Sequence, residues 1–362
     1  MKTQIKLVLI IVLSSFVLAS GAIPLGAAGL AKAQPAQKLT WVRLTYPVLP
    51  PPRAGFALAL DPVRQEIVLF GGQTEEPIAL NDLWAFDGLA WSELPPFGGL
   101  RPLARVQSGL VYDQANQNFL LFGGYQDYEF LGSTWTYRPS NWVQHFAQPA
   151  PSPRAGASIV YDPIRQVTIL FGGYYFEGLN IHLLNDLWTW DGANWQQQFP
   201  LILPPARYNA SLVYDPRSQN FILYGGASVA AMFSDTWVWD GTNWQEQHPA
   251  HNPGGRSNFG MTFDENRQQV LLFGGQTMWN ARPGDTWTWD GSDWTRLATA
   301  ANPPADLANG ARLVYLPSLQ TTALVGLYSP KICAGDVCTS QQEMQVWVLD
   351  ERFLSYMPIL AP

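Results

Sequence analysis

Five stretches of this 362-residue chain repeat one pattern at intervals of about 50 residues, which limits the possible folds more than any other feature. The clearest copy runs from Pro205 to Gln247. It contains a leading Arg and three runs rich in β-branched and aromatic residues, separated by Asp-Pro, Gly-Gly and Asp-Gly. Such runs and separators are typical of strands joined by turns. With a short fourth strand after Trp244, each copy predicts one four-stranded antiparallel sheet.

The copies align on three recurring features. The leading Arg occurs at Arg53, Arg105, Arg154, Arg207 and Arg256. The glycine pair occurs at 71–72, 123–124, 172–173, 225–226 and 274–275. A Trp of the third strand recurs in all five copies and in a sixth, more divergent copy at 308–350: Trp84, Trp135, Trp188, Trp237, Trp287 and Trp347. Six repeats of four strands predict an all-β fold, a six-bladed β-propeller.

These features resemble the kelch repeat, in which an apolar run, Gly-Gly, a variable loop and Asn-Asp-Leu-Trp follow one another. The tetrapeptide stands at 81–84 and 185–188, and the resemblance covers about 41–350. The resemblance implies a kelch-type β-propeller and leaves the function open, because one propeller fold hosts many activities.

The chain also resembles the galactose-oxidase-like propellers. Their copper-radical chemistry needs a Tyr cross-linked to a Cys, with His ligands. Here the two Cys share one loop and the four His are scattered, so we expect no copper cofactor and no such oxidase activity.

A fourth strand without a blade of its own precedes the first copy. It begins at Trp41, which lies 12 residues before Arg53, and Trp142, Trp195 and Trp244 keep this spacing to the next leading Arg. The last copy ends at Asp350 without such a Trp. We therefore predict that 41–45 pairs with the third strand of repeat six near 345–349, so that the N-terminal strand closes the last blade. The alternative is a native fourth strand at Phe353–Tyr356.

The first 33 residues predict an export signal. Lys2 and Lys6 precede an uncharged run, and Ala31-Lys32-Ala33 is a small-x-small cleavage site. A retained N-terminal membrane anchor is the alternative. We predict a linker at 34–40 and a propeller at 41–356, in a secreted or extracytoplasmic protein that could lie at the cell surface.

Charge limits the partners. Without Lys2, Lys6 and Lys32, the 21 basic residues fall to 18 against 28 acidic ones. An acidic surface without basic clusters repels nucleic acid and anionic membrane surfaces, so we expect neither as a partner.

The leading Arg residues allow two interpretations. Near the mouth of an axial channel they could surround an anionic ligand, or each could pair with the Asp that opens the third strand. A motif repeated in nearly every blade favours the second interpretation. Repeat six departs from the motif, because it lacks the Arg and we align Asp306 with that position.

The loops between the second and third strands differ in every repeat, whereas the strands that hold them are constant. Function concentrates in such loops, so we expect the ligand on this face. Fifteen of the 16 Trp fall in repeat register and predict core packing; Trp279 does not. The candidate ligand-binding residues are Tyr125, Tyr128, Tyr174, Tyr175, Phe176, His182, Trp279 and Arg282. The alternative is that these side chains pack the loops onto the propeller.

Aromatic faces edged with carboxylates suit glycan or protein ligands. We therefore expect a binding module, with a mutarotase- or lyase-like sugar-processing enzyme as the alternative for which no catalytic pair stands out. Cys333 and Cys338 predict a local disulfide in an exported chain. We expect no metal site, because Asp-Gly-x-Asn is explained by turns and the regular calcium-loop spacing is missing.

Overall fold

The computed structural model describes residues 39–350 apart from 96–98, 139–140, 309 and 335–336, and at 308, 331–334 and 337–340 it describes the backbone alone. Six four-stranded antiparallel sheets follow one another along this part of the chain. Among the described residues, no helix has the length and apolar character needed to cross a bilayer.

Each sheet is one blade, and corresponding strands of successive blades have similar bounds. The innermost strands are β2 (Ala57–Asp61), β6 (Gly109–Asp113), β12 (Ser158–Asp162), β16 (Ser211–Asp215), β20 (Gly260–Asp264) and β24 (Arg312–Leu316). The second strands are β3 (Glu66–Phe70), β7 (Asn118–Phe122), β13 (Val167–Glu177), β17 (Asn220–Tyr224), β21 (Gln269–Phe273) and β25 (Thr321–Tyr328).

The third strands are β4 (Leu83–Phe86), β10 (Thr134–Arg138), β14 (Asn180–Trp190), β18 (Thr236–Trp239), β22 (Thr286–Trp289) and β28 (Glu343–Asp350). The outermost strands are β5 (Trp91–Leu94), β11 (Asn141–His145), β15 (Trp195–Gln198), β19 (Trp244–Gln247), β23 (Trp294–Arg296) and, for the sixth blade, β1 (Thr40–Leu44). Two short ribbons extend the second-to-third loops: β8 (Tyr125–Gln126) with β9 (Glu129–Phe130), and β26 (Lys331–Ala334) with β27 (Val337–Ser340).

The sixth sheet has the order β1-β28-β25-β24, which confirms the predicted closure. Trp41 pairs with Leu349 and Leu44 pairs with Val346 in antiparallel register. The competing segment, Phe353–Tyr356, lies outside the described residues. Neighbouring innermost strands contact each other in order, and β24 contacts β2, so the ring of six blades is closed. Pairing with β1 covers the edge of β28, which would otherwise be open to pairing with other chains.

The fourth-strand Trp side chains join blades. The indole Nε1 of Trp195 donates to Thr134 Oγ1 of the preceding blade at 2.8 Å, and Trp294 donates to Thr236 in the same way at 3.0 Å. Trp41, which is 2% exposed, donates to Thr286 Oγ1 of blade five at 2.9 Å. The N-terminal strand therefore provides the sixth blade with the same inter-blade contact as a native fourth strand.

The glycine pairs let the next blade approach. Gly71 and Gly72 have φ of 67° and 94°, and a Cβ on either would lie within 2.8 Å of a carbonyl oxygen. The amide of Gly72 instead donates to the carbonyl of Arg105 in the next blade at 2.9 Å. The amide of Arg105 donates back to Leu80 O at 3.1 Å. The Gly-Gly pair of one repeat and the Arg of the next thus form a single inter-blade junction.

Two details of the sequence analysis are wrong. The residues 174–184, expected to form a loop, extend β13 and β14 into a hairpin whose turn is at Gly178-Leu179. In blade six the register pairs Arg312 with Val325 as Ala57 pairs with Phe70. The leading Arg lies four residues before this register position in the other blades, so Ala308, not Asp306, stands at its place in blade six. Both residues lie in a short 3-10 helix, Ala305–Ala308.

Candidate binding face

The leading Arg side chains do not surround a ligand. Arg207 is 1% exposed, and its two terminal nitrogens each lie 2.7 Å from a carboxylate oxygen of Asp235. Nη1 also donates to the carbonyl of Gly225 at 2.9 Å. The equivalent ion pairs are Arg53–Asp82, Arg154–Asp186 and Arg256–Asp285. These cations are architectural, as the favoured interpretation predicted.

The second-to-third loops leave the propeller on the face where the innermost strands begin. Residues just before β2, β6, β12, β16 and β20 form backbone bridges with residues just after the glycine pairs, for example Ala155 with Tyr174. The short turns between first and second strands lie at the opposite end of the blades. This arrangement places the variable loops together on one face, which we call the loop face.

Five aromatic side chains of blades two to four form one cluster on the loop face. Tyr174, at its centre, has ring-centroid distances of 5.4 Å to Phe130, 5.9 Å to Phe176 and 4.9 Å to Tyr208. Tyr125 joins through Phe130 at 5.9 Å. The Tyr174 hydroxyl donates to Gln107 Oε1 at 3.1 Å, and burial raises the pKa of Tyr174 above its usual range. Tyr174 therefore packs the loops together.

Tyr175 and His182 face each other across the blade-three hairpin. Their rings stack at 4.8 Å with an interplanar angle of 10°. The imidazole Nε2 also lies 3.4 Å from Glu177 Oε2. One face of each ring is therefore covered by the other ring.

Trp279 and Arg282 lie apart from this cluster, in the loop of blade five. Trp279 is 88% exposed. Arg282 Nη1 lies 3.4 Å from Asp306 Oδ1, so this exposed cation is paired across the junction with blade six. The candidate residues from the sequence thus fall into a packed cluster, a stacked pair and an isolated tryptophan.

Apolar side chains at the loop tips project into solvent from blades one to five. Tyr128 is 96% exposed, with φ of 69° at the tip of the β8–β9 ribbon, and Leu179 at the tip of the blade-three hairpin is fully exposed. The exposed apolar tips are Ile78, Tyr128, Phe176, Leu179, Val229, Met278 and Trp279. Exposed apolar groups distributed over one face indicate an interaction surface.

The sequence analysis did not include Phe130 or Tyr208 among the candidate residues, and it missed the tips Ile78, Leu179, Val229 and Met278. Tyr208 follows Arg207 directly, at a position occupied by smaller residues in the other repeats. That size difference was the available signal for the aromatic cluster. The aliphatic tips carried no signal, because their exposure depends on the conformation of each loop.

The cysteine ribbon lies on blade six. Cys333 and Cys338 are directly opposite residues of β26 and β27 in the backbone register, and their side chains are outside the described set. Across the part of the chain that the structure describes, no group of three or more His, Cys, Asp and Glu side chains is placed to hold a metal ion.

Six antiparallel four-stranded blades closed into a ring, with variable loops on one face, define a β-propeller. A family model described as the KLHDC2/KLHL20/DRC7 Kelch-repeats domain matches residues 35–196, which reach from before β1 into the third blade. The chain is a six-bladed β-propeller, and its N-terminal part is similar to this kelch-repeat domain. Comparison with curated proteins found no match.

Proposed function

We propose that the protein is an exported binding module that recognises a protein partner through the loop face. The observation that supports this proposal is the set of solvent-exposed apolar tips on five successive blades. Desolvation of these tips on binding would supply most of the free energy of association. The constant strands beneath hold the tips in place, so little conformational entropy is lost on binding.

Charge on the same loops specifies the partner further. Acidic residues surround the apolar tips, among them Glu76, Asp127, Glu129 and Glu177, whereas Arg282 is already paired with Asp306. The complementary partner surface is an apolar patch with a rim of Lys and Arg. Because rim charges mainly steer encounter, association should slow as ionic strength rises, with a smaller change in dissociation.

A matched pair of variants tests the loop face. One triple variant, Tyr128→Ser, Leu179→Ser and Trp279→Ser, removes tips from blades two, three and five. The control triple, Val63→Ser, Leu89→Ser and Ile164→Ser, removes exposed apolar side chains from turns at the opposite end of the blades. Both triples should keep the melting temperature of the wild type, because all six side chains are exposed.

The partner is first captured from the native extracytoplasmic fraction by cross-linking and then purified. Surface plasmon resonance should show at least about a tenfold loss of affinity for the loop-face triple and none for the control triple, since each 1.4 kcal/mol is tenfold. Equal affinities for both triples, or loss only in the control, would place the binding surface elsewhere.

A glycan is a second candidate ligand, favoured by Trp279 alone. Its exposed ring offers a flat face for a sugar, and Asn280 and Arg282 beside it supply polar groups. On a glycan array, Trp279→Ala should then abolish a signal that Tyr128→Ser retains. No observation among the described residues favours the sugar-processing enzyme.

Export rests on residues 1–33, which lie outside the described residues. Expression of the full chain with this segment in place should yield a product that begins at Gln34, as read by N-terminal sequencing. A product that keeps residue 1 and sediments with membranes would instead support a retained anchor.

A further inference from the structure

The six innermost strands enclose an axial cavity of about 180 Å³. Five blades begin this strand with a small residue, namely Ala57, Gly109, Ser158, Ser211 and Gly260. Blade six places Arg312 at the same register position, opposite Val325. Five small side chains therefore leave the room into which one long cationic side chain extends.

Arg312 is the one charged residue among the described residues that line the cavity. Its Nη1 makes two long hydrogen bonds, to Gly310 O at 3.3 Å and Ala311 O at 3.4 Å. No carboxylate pairs with it in the described part of the chain, whereas four of the leading Arg residues are each held by an Asp. Burial lowers the pKa of Arg312 to about 10, so the side chain still carries its charge at neutral pH.

The mouth of the cavity is a ring of six residues in left-handed conformation, with φ from 52° to 83°: Gly55, Gln107, Gly156, Asn209, Asn258 and Gly310. Backbone hydrogen bonds of 2.8–3.1 Å join each residue of the ring to the preceding one, from Gly55 to Gly310. This backbone ring fixes the width of the mouth on the side of the loop face. The bonds of Arg312 to Gly310 and Ala311 keep its guanidinium near this mouth.

Three members of the ring carry amide side chains that line the cavity. Gln107 accepts the Tyr174 hydroxyl through Oε1, which leaves its NH₂ group as a donor. Asn209 and Asn258 make no side-chain hydrogen bond with another described residue. The hydroxyl Oγ of Ser108, also in the lining, is buried without a hydrogen-bond partner. An unpaired buried hydroxyl is costly, and the half-buried guanidinium of Arg312 has no counterion among the described residues.

We propose that the axial cavity binds a small free oxyanion, a carboxylate or an inorganic oxyanion such as sulfate, through the guanidinium of Arg312 with amide N–H donors of the mouth. A planar guanidinium forms paired hydrogen bonds with the oxygens of carboxylates and other oxyanions. Amide and hydroxyl donors complete such a site without adding negative charge. The bound anion would neutralise the half-buried cation and give the unpaired donors partners. This site is separate from the loop-face surface and does not depend on it.

The test compares the full-length wild type with Arg312→Ser. This substitution introduces the residue that blades three and four have at the same register position. Arg296→Ser, an exposed cation on β23, is the matched control. Sodium sulfate and sodium acetate are titrated against sodium chloride at constant ionic strength, with binding followed by calorimetry and by the melting temperature. The sulfate and acetate arms distinguish an inorganic oxyanion from a carboxylate.

Wild type and Arg296→Ser should bind at least one oxyanion saturably at one site per chain. Arg312→Ser should bind it at least tenfold more weakly, and without oxyanion it should melt no lower than wild type, because the unpaired cation has been removed. A wild type that shows no saturable response, or an Arg312→Ser variant that binds equally well, would overturn the proposal. A second result would also overturn the proposal: Arg312→Ser melts below wild type in chloride, and neither protein responds differently to the three anions. Arg312 would then be a packing element of the channel.

Discussion

A carboxylate two residues before the third-strand Trp has two partners in four of the six blades. In blade four, Asp235 pairs with Arg207 and accepts the indole N–H of Trp237 at 2.7 Å. Blade two has Ser133 at this position. Its hydroxyl reaches Arg105 only at 3.3 Å, and the indole nitrogen of Trp135 is buried without a partner. Burial without a carboxylate lowers the pKa of Arg105 to about 10.

Ser133→Asp should therefore stabilise the protein. The new carboxylate would pair with Arg105 and accept the orphaned indole N–H, as the equivalent Asp does in four other blades. We expect a gain of about 1.5–3 kcal/mol in the free energy of unfolding, the range for hydrogen bonds to charged groups. Urea unfolding of both proteins measures it. Ser133→Asn is the control, and an equal gain with Asn would show that the charge is not needed.

The N-terminal strand belongs to the last blade of the ring and not to the first blade, which follows it in sequence. β1 makes no blade with β2, which follows it, but pairs with β28, so that Trp41 lies opposite Leu349 at the far end of the chain. Its side chain Trp41 packs on Leu271, Phe273 and Leu313 of blades five and six. The equivalent of the hydrogen bond to Thr286 forms wherever the residue before the third-strand Trp of the preceding blade is Thr. It is missing for Trp244, because Leu187 occupies that position in the preceding blade.

Trp41→Ala should lower the free energy of unfolding by about 3–5 kcal/mol, as for other large-to-small changes of a fully buried aromatic residue. Chemical denaturation of the full chain measures the loss. Trp279→Ala removes an equally large but exposed side chain and should change stability by less than about 0.5 kcal/mol. Similar losses in both variants would contradict the assignment of β1 as the closing strand.

The β26–β27 ribbon is the second element with a prediction of its own. Its backbone register sets Cys333 directly opposite Cys338, and the export proposed above would bring the ribbon into an oxidising compartment. We predict a disulfide between them, which intact-mass measurement of the unreduced protein would show as a loss of two hydrogens. The double variant Cys333→Ser, Cys338→Ser should retain the propeller fold, because the ribbon lies outside the six blades. Two thiols that react with an alkylating reagent before reduction would exclude the bond.

At the scale of the whole molecule, the same contacts recur in successive blades, so a small contribution in each blade becomes large in the sum. The ion pair between the leading Arg and the third-strand Asp of the same blade is such a contribution, and it recurs in four blades. Burial raises the pKa of Asp82 and of Asp285, but the hydrogen bonds and charge of Arg53 and Arg256 outweigh it, so both pKa values lie below the ordinary one.

The protein should therefore be destabilised by acid. A carboxyl whose pKa is lower in the folded state stabilises the fold fully above its unfolded pKa of about 3.9, and the stabilisation is lost as the pH falls through the folded value. Urea midpoints should be constant from pH 7 to about pH 5 and should fall below about pH 4. Asp82→Asn with Asp285→Asn should flatten this fall while lowering the midpoint at pH 7. A midpoint that rises on acidification would contradict the role of these pairs.

The sequence by itself determined the repeat, and with it the number of blades, the strand order and the closure. These features follow from local chemistry: Gly-Gly where φ must be positive, Asp-Gly at hairpin turns, and Trp at fixed register. The spacing from Trp41 to Arg53 even identified the missing sixth outer strand. The kelch resemblance rested on the same residues, and the structure confirmed the six-bladed propeller that it implied.

Only the tertiary structure decided what the non-repeated side chains do. Tyr174 looked like a ligand-binding residue, yet its contacts with Tyr208 and Gln107 join residues brought together from three blades. The solvent exposure of Leu179 depends on a hairpin that the sequence did not indicate. Arg312 became distinctive once the register placed it among five small residues around one axis. Burial, pairing and exposure of these side chains depend on which distant segments pack around them, and that packing lies outside the repeated pattern.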